Sequence, residues 1–394
     1  VSDVNWGINY ALTDISVTGI PTPDPAKAKQ YAGAGWNSGR GPYMPPVMFI
    51  NDIKRTDKQK GVFGEVSIDM SDTSELTIGA RWYDIKVDLE GSANSSFSTG
   101  FLAAGADHRD QQRWGTNLSN MFNGPGGDSG NPTLDAMDYP DKAESDGVIG
   151  KITYSWNPSE DLMYYLTWSE GFRPGLLNRP GGDGTKTNGV LDGRYTVPPI
   201  TESDEVTNYE FGWKSVMNDG RLRFNGSLFM VDIAGLQTSI LDPSITNLFF
   251  SDNAADAEIT GLEGDFIFYP DVEGLIVSGA FSLLDSEITK TLTTSNDVIA
   301  GRELAFAPAM QGNIAVRKEW DMSSGYIGHL QGQFTFSDDS YSDIIEPNKE
   351  QQDSYSFINV RAGISNDMWL AEIYVDNLTD ERGEISNNYV FDVP

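Results

Sequence analysis

The chain has 394 residues, with 58 Asp+Glu against 27 Lys+Arg and a formal net charge of −31, and it holds two histidines and no cysteine. That balance opposes contact with nucleic acid, whose phosphates it repels, and docking on an anionic membrane surface. The lack of cysteine excludes disulfide scaffolds, thiol redox chemistry and Cys-ligated zinc, and His108 and His329 offer no H-x-x-x-H spacing for a catalytic zinc.

In chain order, residues 1–58 read as a loop-rich Gly/Pro segment with one possible strand at 5–13. From residue 59 onward, strands of about ten residues come in pairs. Each pair is joined by a tight polar turn, at 71–74, 157–160, 218–220, 270–274, 321–325 and 365–367. The pairs are separated by long connections at 90–146, 172–203, 236–255, 289–302 and 338–353. A meander with short turns at one end and long loops at the other is how a transmembrane β-barrel distributes its connections. No apolar run approaches the ~18 residues of a spanning helix, which says nothing against a barrel, because a barrel hides its hydrophobicity in alternation.

The strands alternate with period two. Leu162, Tyr164, Leu166 and Trp168 share a face opposite Asp161, Thr167 and Ser169. Leu222, Phe224, Leu228 and Met230 oppose Arg221, Arg223, Asn225 and Ser227. Tyr164, Leu166, Trp168, Phe224, Leu228, Phe266, Phe281, Phe334 and Ile373 are therefore expected to face lipid. Lys151, Thr167, Arg223, Glu263, Gln331 and Arg361 are expected to face the lumen. Trp82, Tyr83, Trp156, Trp168, Trp213, Phe268, Tyr269, Trp320 and Trp369 fall at strand ends, where interfacial aromatic girdles belong. The reading is an all-β, antiparallel up-and-down transmembrane β-barrel of about 12–13 strands, with residues 381–394 opening a further loop.

No catalytic constellation emerges: there is no nucleophile elbow, no phosphate-cradling loop and no carboxylate pair in an acid/base context, so no enzyme activity is expected. The acidic run at 338–343 lacks the spacing of a calcium cage, and neither a metal site nor a cofactor is expected. The connection 90–146 carries nine Asp/Glu against three Lys/Arg, read as a solvated acidic loop.

Several short strings are similar to those of one family. Gly171-Phe172-Arg173-Pro174-Gly175 closes a strand. Tyr209-Glu210-Phe211-Gly212-Trp213-Lys214 leads to Asp219-Gly220-Arg221-Leu222. Thr260-Gly261-Leu262-Glu263-Gly264, Leu304-Ala305-Phe306-Ala307-Pro308 and Asn377-Leu378-Thr379-Asp380 follow in order. Together, over 59–380, they resemble the barrel of TonB-dependent outer-membrane receptors. The resemblance implies a barrel of roughly 22 strands with a plugged lumen. This chain would hold its C-terminal half or somewhat more, with the plug domain and the last strand absent. It implies TonB-energised uptake of a bulky nutrient, most often a ferric siderophore, across the outer membrane of a Gram-negative bacterium. The implied partners are the TonB–ExbB–ExbD complex acting through the plug, an extracellular iron chelate and the lipid bilayer. A passive porin or structural barrel is the alternative.

Gly261 and Gly264 are expected to relieve crowding where inward side chains meet the plug. Ligand capture is expected on the long loops. The candidates are His108, Arg109, Arg113 and Trp114 in the longest, with Phe172, Arg173, Asn178, Arg179 and Tyr195 in the next. Arginine and aromatics in an acidic protein suit an anionic planar ligand such as a ferric chelate. Trp36 and Tyr43 are lesser candidates.

Overall fold

A tight hairpin needs left-handed backbone, and the sequence supplies it with Asn218, Asp219 and Gly220, at φ 56°, 55° and 86°. Gly274 does the same at φ 68°, where a Cβ would lie 2.2 Å from the Glu319 carbonyl oxygen. The structure, a computed structural model, describes residues 6–9, 47–95, 142–178, 198, 200–241, 249–293 and 297–387.

Strands β1 (Trp6–Asn9) and β2 (Val47–Ser71) lead into β3 (Ser74–Ser95), β4 (Lys142–Ser159) and β5 (Leu162–Arg173). Two short strands, β6 (Leu176–Leu177) and β7 (Ile200–Thr201), precede β8 (Asp204–Met217), β9 (Leu222–Leu241), β10 (Phe249–Phe268) and β11 (Leu275–Thr291). A 3-10 turn at Ser323–Gly325 separates β12 (Met310–Met322) from β13 (Tyr326–Ser337). Then come β14 (Ser340–Tyr341), β15 (Gln351–Gln352), β16 (Tyr355–Ser365) and β17 (Leu370–Val375). One 13-stranded antiparallel sheet runs β1-β2-β3-β4-β5-β8-β9-β10-β11-β12-β13-β16-β17, while β6–β7 and β14–β15 are separate two-stranded pairs. Among the described residues β1 and β17 each have one neighbour, so the sheet is open at both edges.

The register fulfils the expected facing. Tyr164 pairs with Trp213, Leu166 with Phe211 and Trp168 with Tyr209; Phe211 pairs with Leu228, Phe224 with Phe266 and Gly264 with Phe281. Ile314 joins Phe334, and Ala362 joins Ile373. Direct partners in an antiparallel ladder share a face, so these residues form one continuous outer surface. Lys151, Thr167, Arg223, Glu263, Gln331 and Arg361 lie on the other. Near the short turns, Trp156, Tyr164, Phe211, Trp213 and Phe224 form an aromatic ribbon with successive ring centroids 5.5–6.4 Å apart.

The strands depart from expectation in length. β2 begins at Val47, not at residue 59, and it has 25 residues; β3 has 22, and β9 and β10 have 20 each. The expected loop at 236–255 is mostly strand, because β9 runs to Leu241 and β10 starts at Phe249. Twenty residues at ~3.4 Å each and a ~40° tilt give about 50 Å of height, twice the ~25 Å apolar band of an outer-membrane barrel.

The upper half of each long strand inverts its polarity. Below, the outer face carries Ile68, Val66, Ile78, Trp82, Val148 and Ile152, all exposed. Above, it carries ion pairs: Lys60–Asp84 at 3.6 Å and Lys86–Glu144 at 2.9 Å. The inner face changes in the opposite sense, from Thr77 paired with Thr153 to the buried Tyr83, Ile85, Val87 and Ala143. On β9–β11 the outer ladder passes from Leu228–Leu262–Leu283 to Asp232–Glu258–Glu287, while the inner one ends on Ile233, Ala257 and Ile288. A strand that leaves lipid for water must hide its apolar residues on the side where loops cover it. Tyr83, expected in a girdle, therefore points inward and is buried.

Two apolar cores follow from this, both at the long-loop end. One joins Tyr83, Ile85, Val87 and Ala143 to Leu177 of β6. The other joins Ile240, Phe250, Ala255, Ala257 and Ile288 to Val298 and Leu304 from the β11–β12 connection and to Ile344 and Ile345 from the β13–β16 connection. The Asn-Leu-Thr-Asp string after β17 is a self-bonded turn. Asn377 Nδ2 donates to the Glu381 carbonyl (2.9 Å), its Oδ1 accepts from the Glu381 N–H (2.9 Å), and both Asn377 and Asp380 have positive φ.

Candidate functional site

The concave side of the sheet holds two tiers of chemistry. The lower tier is a polar wall level with the lipid face. Tyr165 on β5 lies across the bare backbone of Gly212, where a Cβ would sit 2.1 Å from its ring, and donates its hydroxyl to Glu210 Oε1 at 2.5 Å. Thr153 and Thr167 bond at 3.0 Å beside it. Ser227 donates to Glu263 (3.3 Å), and Asn225 donates to Asp265 (3.2 Å). Further round, Arg317 Nε bonds Glu319 (2.7 Å) and its Nη1 donates to Gln331 Oε1 (3.2 Å). His329, 3% exposed, lies over Gly363 with Nε2 2.8 Å from Glu372 Oε2, and Arg361 reaches the same carboxylate at 3.8 Å.

Gly261 gives room, as expected of a crowded inner wall, to the ring of Phe229, which a Cβ would approach to 2.3 Å. Gly264 differs from expectation: it faces outward and seats Phe281. A polar recess of about 370 Å³ near the short turns is lined by Met163, Lys214, Arg223 and Asn225. The larger furrow, about 570 Å³ among Tyr154, Leu166, Trp168, Phe211, Leu228 and Met230, lies on the outer face and belongs to the lipid surface.

The upper tier is a hydrogen-bonded knot where β5 ends. Arg173 donates through Nε (2.9 Å) and Nη2 to Asp204 Oδ2, through its backbone N–H to Oδ1 (3.0 Å), and through Nη2 to the Gln237 carbonyl (2.7 Å). Asp204 is 4% exposed, and the Arg173 side chain is 52% exposed. Gln237 Nε2 in turn donates to the carbonyls of Pro174 (3.1 Å) and Glu202 (2.8 Å). The knot pins the β5–β8 connection against β9.

The structure brings together three of the residues singled out from the sequence. Arg173 is the centre of the knot. Asn178, 5% exposed, donates to the carbonyls of Pro198 (2.8 Å) and Ser251 (2.7 Å) and accepts from the Ser251 N–H. Phe172 stacks on Tyr83 with centroids 3.6 Å apart and an interplanar angle of 14°. Asn178 and Phe172 act as braces, whereas Arg173 keeps an open guanidinium face. His108, Arg109, Arg113, Trp114, Arg179 and Tyr195, and likewise Trp36 and Tyr43, lie outside the described residues.

Sequence reasoning missed Tyr165 as the partner of Glu210, and it missed Asp204 and Gln237. The signal for the upper tier was present in the alternation, which changes phase between Trp82 and Asp84 and between Leu262 and Glu258. Among the described residues no group of three or more His, Asp or Glu is placed to hold a metal ion, and no helix is long and apolar enough to cross a membrane.

An antiparallel sheet with a lipid-type outer face, a polar concave wall and loop-covered cores at one end defines the wall of a transmembrane β-barrel. Residues 3–378 match the TonB dependent receptor-like, beta-barrel family model, and the chain belongs to that family. Its members are receptors and transporters rather than enzymes. A curated relative, the probable TonB-dependent siderophore receptor PiuA of Acinetobacter baumannii, is 20% identical over 265 residues, covering 64% of this chain and 32% of that protein. The ferric yersiniabactin uptake receptor FyuA of Yersinia pestis shares the fold with a TM-score of 0.61 at 14% identity, over 89% of this chain and 45% of the receptor. The siderophore receptor PiuA of A. baumannii gives a TM-score of 0.55 at 16% identity, over 88% of this chain and 43% of that one. This chain thus spans about a third to under half of the relatives it matches.

Proposed function

We propose that this chain is part of the barrel wall of a receptor in the outer membrane of a Gram-negative bacterium, and that the receptor takes up a ferric siderophore with energy delivered through TonB–ExbB–ExbD. The observation that carries the reading is the two-tiered concave side. A polar wall offers a hydrated, bondable surface to whatever fills the lumen, and a folded rim above it holds the connections in place for ligand capture. Family membership and the siderophore receptors among the relatives support the cargo class. Arg173 at the rim, with His108, Arg109, Arg113, Trp114, Arg179 and Tyr195 on the long connections, is the proposed set of ligand contacts, and Phe172 and Asn178 hold that set in position.

The test is uptake of radioactive iron by cells carrying or lacking the full reading frame that contains this chain, fed purified ferric siderophores, with and without a working TonB. Uptake that requires both the receptor and TonB supports the reading. Uptake that requires the receptor and ignores TonB supports a passive porin instead.

A further inference from the structure

Neighbouring strands of the sheet differ in height, and a strand that outgrows its neighbour leaves a row of unpaired N–H and C=O groups along its edge. At three such places the edge is capped. Above the top of β8, the β9 edge meets the knot: Gln237 gives its N–H to Asp204 (3.3 Å), and its carbonyl accepts from Arg173 (2.7 Å). Above the top of β11, the β10 edge meets Asn178, which takes the Ser251 N–H (2.8 Å) and donates to its carbonyl (2.7 Å). Above the top of β12, the β11 edge meets its own connection, where Ile288 donates to the Arg302 carbonyl (2.7 Å) and accepts from the Gly301 N–H (2.8 Å).

β4 is the exception. Its ladder to β5 ends at Lys151–Ser169, yet its ladder to β3 runs on to Lys142. Gly150 sends its N–H toward the departed β5, and a side chain receives it, Glu170 Oε2 at 2.8 Å. Hydrogen-bonding direction alternates along a strand, so Val148, Asp146 and Glu144 point their backbone groups the same way. Among the described residues these groups have no partner. Val148 is level with Trp82, and Asp146 and Glu144 lie above it, out of the lipid. The inner side of the stretch is closed by the buried Ala143 and Ser145, so the edge is reached from outside.

The charges there define what fits. Asp146 stands directly opposite Asp84 on the outer face, a like-charge pair that destabilises a ladder. Asp84 has Lys60 at 3.6 Å and Glu144 has Lys86 at 2.9 Å, while Asp146, on the edge itself, has no cation in ion-pair contact among the described residues. Edges guarded against association typically carry lysine. This one carries an unneutralised carboxylate beside open backbone groups.

We propose that the Glu144–Val148 edge of β4 is a docking site at the long-loop end of the barrel, where an extended basic segment of a partner protein joins the sheet as an added strand. The partner's backbone pairs with the edge, and a lysine or arginine of the segment neutralises Asp146. The inference goes beyond uptake and rests on the barrel wall alone.

The full-length receptor in detergent micelles would be titrated with an end-blocked, dye-labelled peptide of alternating lysine and valine, with amide hydrogen exchange followed in parallel. Binding should slow exchange at Glu144, Asp146 and Val148 and leave Ser145 and Gly147, which point to β3, unchanged. N-methylation of alternate peptide residues should abolish binding. Asp146→Pro deletes an edge N–H that the β3 ladder does not use, so the heat-modifiable barrel band should persist while affinity falls about tenfold. Asp146→Lys keeps the edge and should weaken the lysine peptide by a similar factor while admitting a glutamate–valine peptide. Unchanged affinity in both variants, or no binding at millimolar peptide, overturns the inference. Slow exchange at Asp146 without peptide overturns it too: independent of receptor concentration, it shows a connection of the same chain on the edge, and growing with concentration, it shows a second copy.

Discussion

Asp204 closes the end of β5 by gripping Arg173 through both carboxylate oxygens, taking the backbone N–H on one and the guanidinium on the other. The carboxylate is buried while the guanidinium is half exposed, so the pair is anchored from one side. Its Oδ2 also receives the Gln237 N–H at 3.3 Å, so Asp204 on β8 is the shared acceptor of β5 and β9.

Asp204→Ala should therefore loosen the rim more than the wall. Hydrogen bonds to a charged group are each worth about 1.5–3 kcal/mol, and the exposed guanidinium recovers part of its loss from water. A net cost of about 2 kcal/mol is expected. Limited proteolysis of the reconstituted receptor should show faster cleavage around 174–203, with the heat-modifiable barrel band unchanged. Equal loosening of the wall would contradict the two-tier description.

The facing of β5 is tested by adjacent substitutions. Leu166 is 56% exposed on the lipid face. Leu166→Arg should cost roughly 2–4 kcal/mol near the bilayer midplane. Thr167, one residue along, faces the lumen and pairs with Glu210, so Thr167→Arg should be far milder, losing the Thr153 bond and gaining a carboxylate neighbour. Folded fraction in lipid vesicles measures both; equal damage would sink the inside–outside assignment.

The polarity inversion makes the opposite forecast higher on β3. Ile85 is inward and 4% exposed, so Ile85→Ala should destabilise the rim by about 2–4 kcal/mol through transfer loss and a cavity. Lys86→Leu, on the outer face above the lipid, should leave the rim's stability close to that of the wild type. Hydrogen exchange of β3 and β4 amides reads both. A clear gain in protection from Lys86→Leu would mean that lipid reaches that height.

The meander, the facing and the hairpin turns were legible in the sequence because each depends on local chemistry: period-two alternation, Asn-Asp-Gly geometry and aromatics near turns. Strand length was not. Alternation was followed as a lipid-facing signal, and it breaks where lipid ends. The ladder continues beyond that point with the phase reversed, so Lys142, Glu144 and Asp146 read as part of the 90–146 connection while forming strand. Arg173 and Asn178 were singled out for residue type. What decides their roles is a partner far along the chain: Asp204 and Gln237 for one, Ser251 for the other.

The last forecast concerns acid. Asp343, in the β13–β16 connection, has its carboxyl pushed above the ordinary aspartate range by burial, partly opposed by bonds from the Ile345 and Ile344 N–H groups and from Asn348. The folded form thus holds this proton more tightly than the unfolded form. Its contribution to stability is fully present below the unfolded pKa and is lost as pH rises through the raised folded value, staying lost at neutral pH. Asp343→Asn keeps an acceptor for the Ile345 N–H, which lies 3.0 Å from Oδ1, and removes the titration. Hydrogen exchange across 340–352, compared between wild type and variant, cancels the many other carboxylates of this acidic chain. Wild-type protection should drop relative to the variant as pH climbs from about 4 toward neutrality. A difference that is flat with pH, or that grows in favour of the wild type, would show that burial does not control this carboxyl.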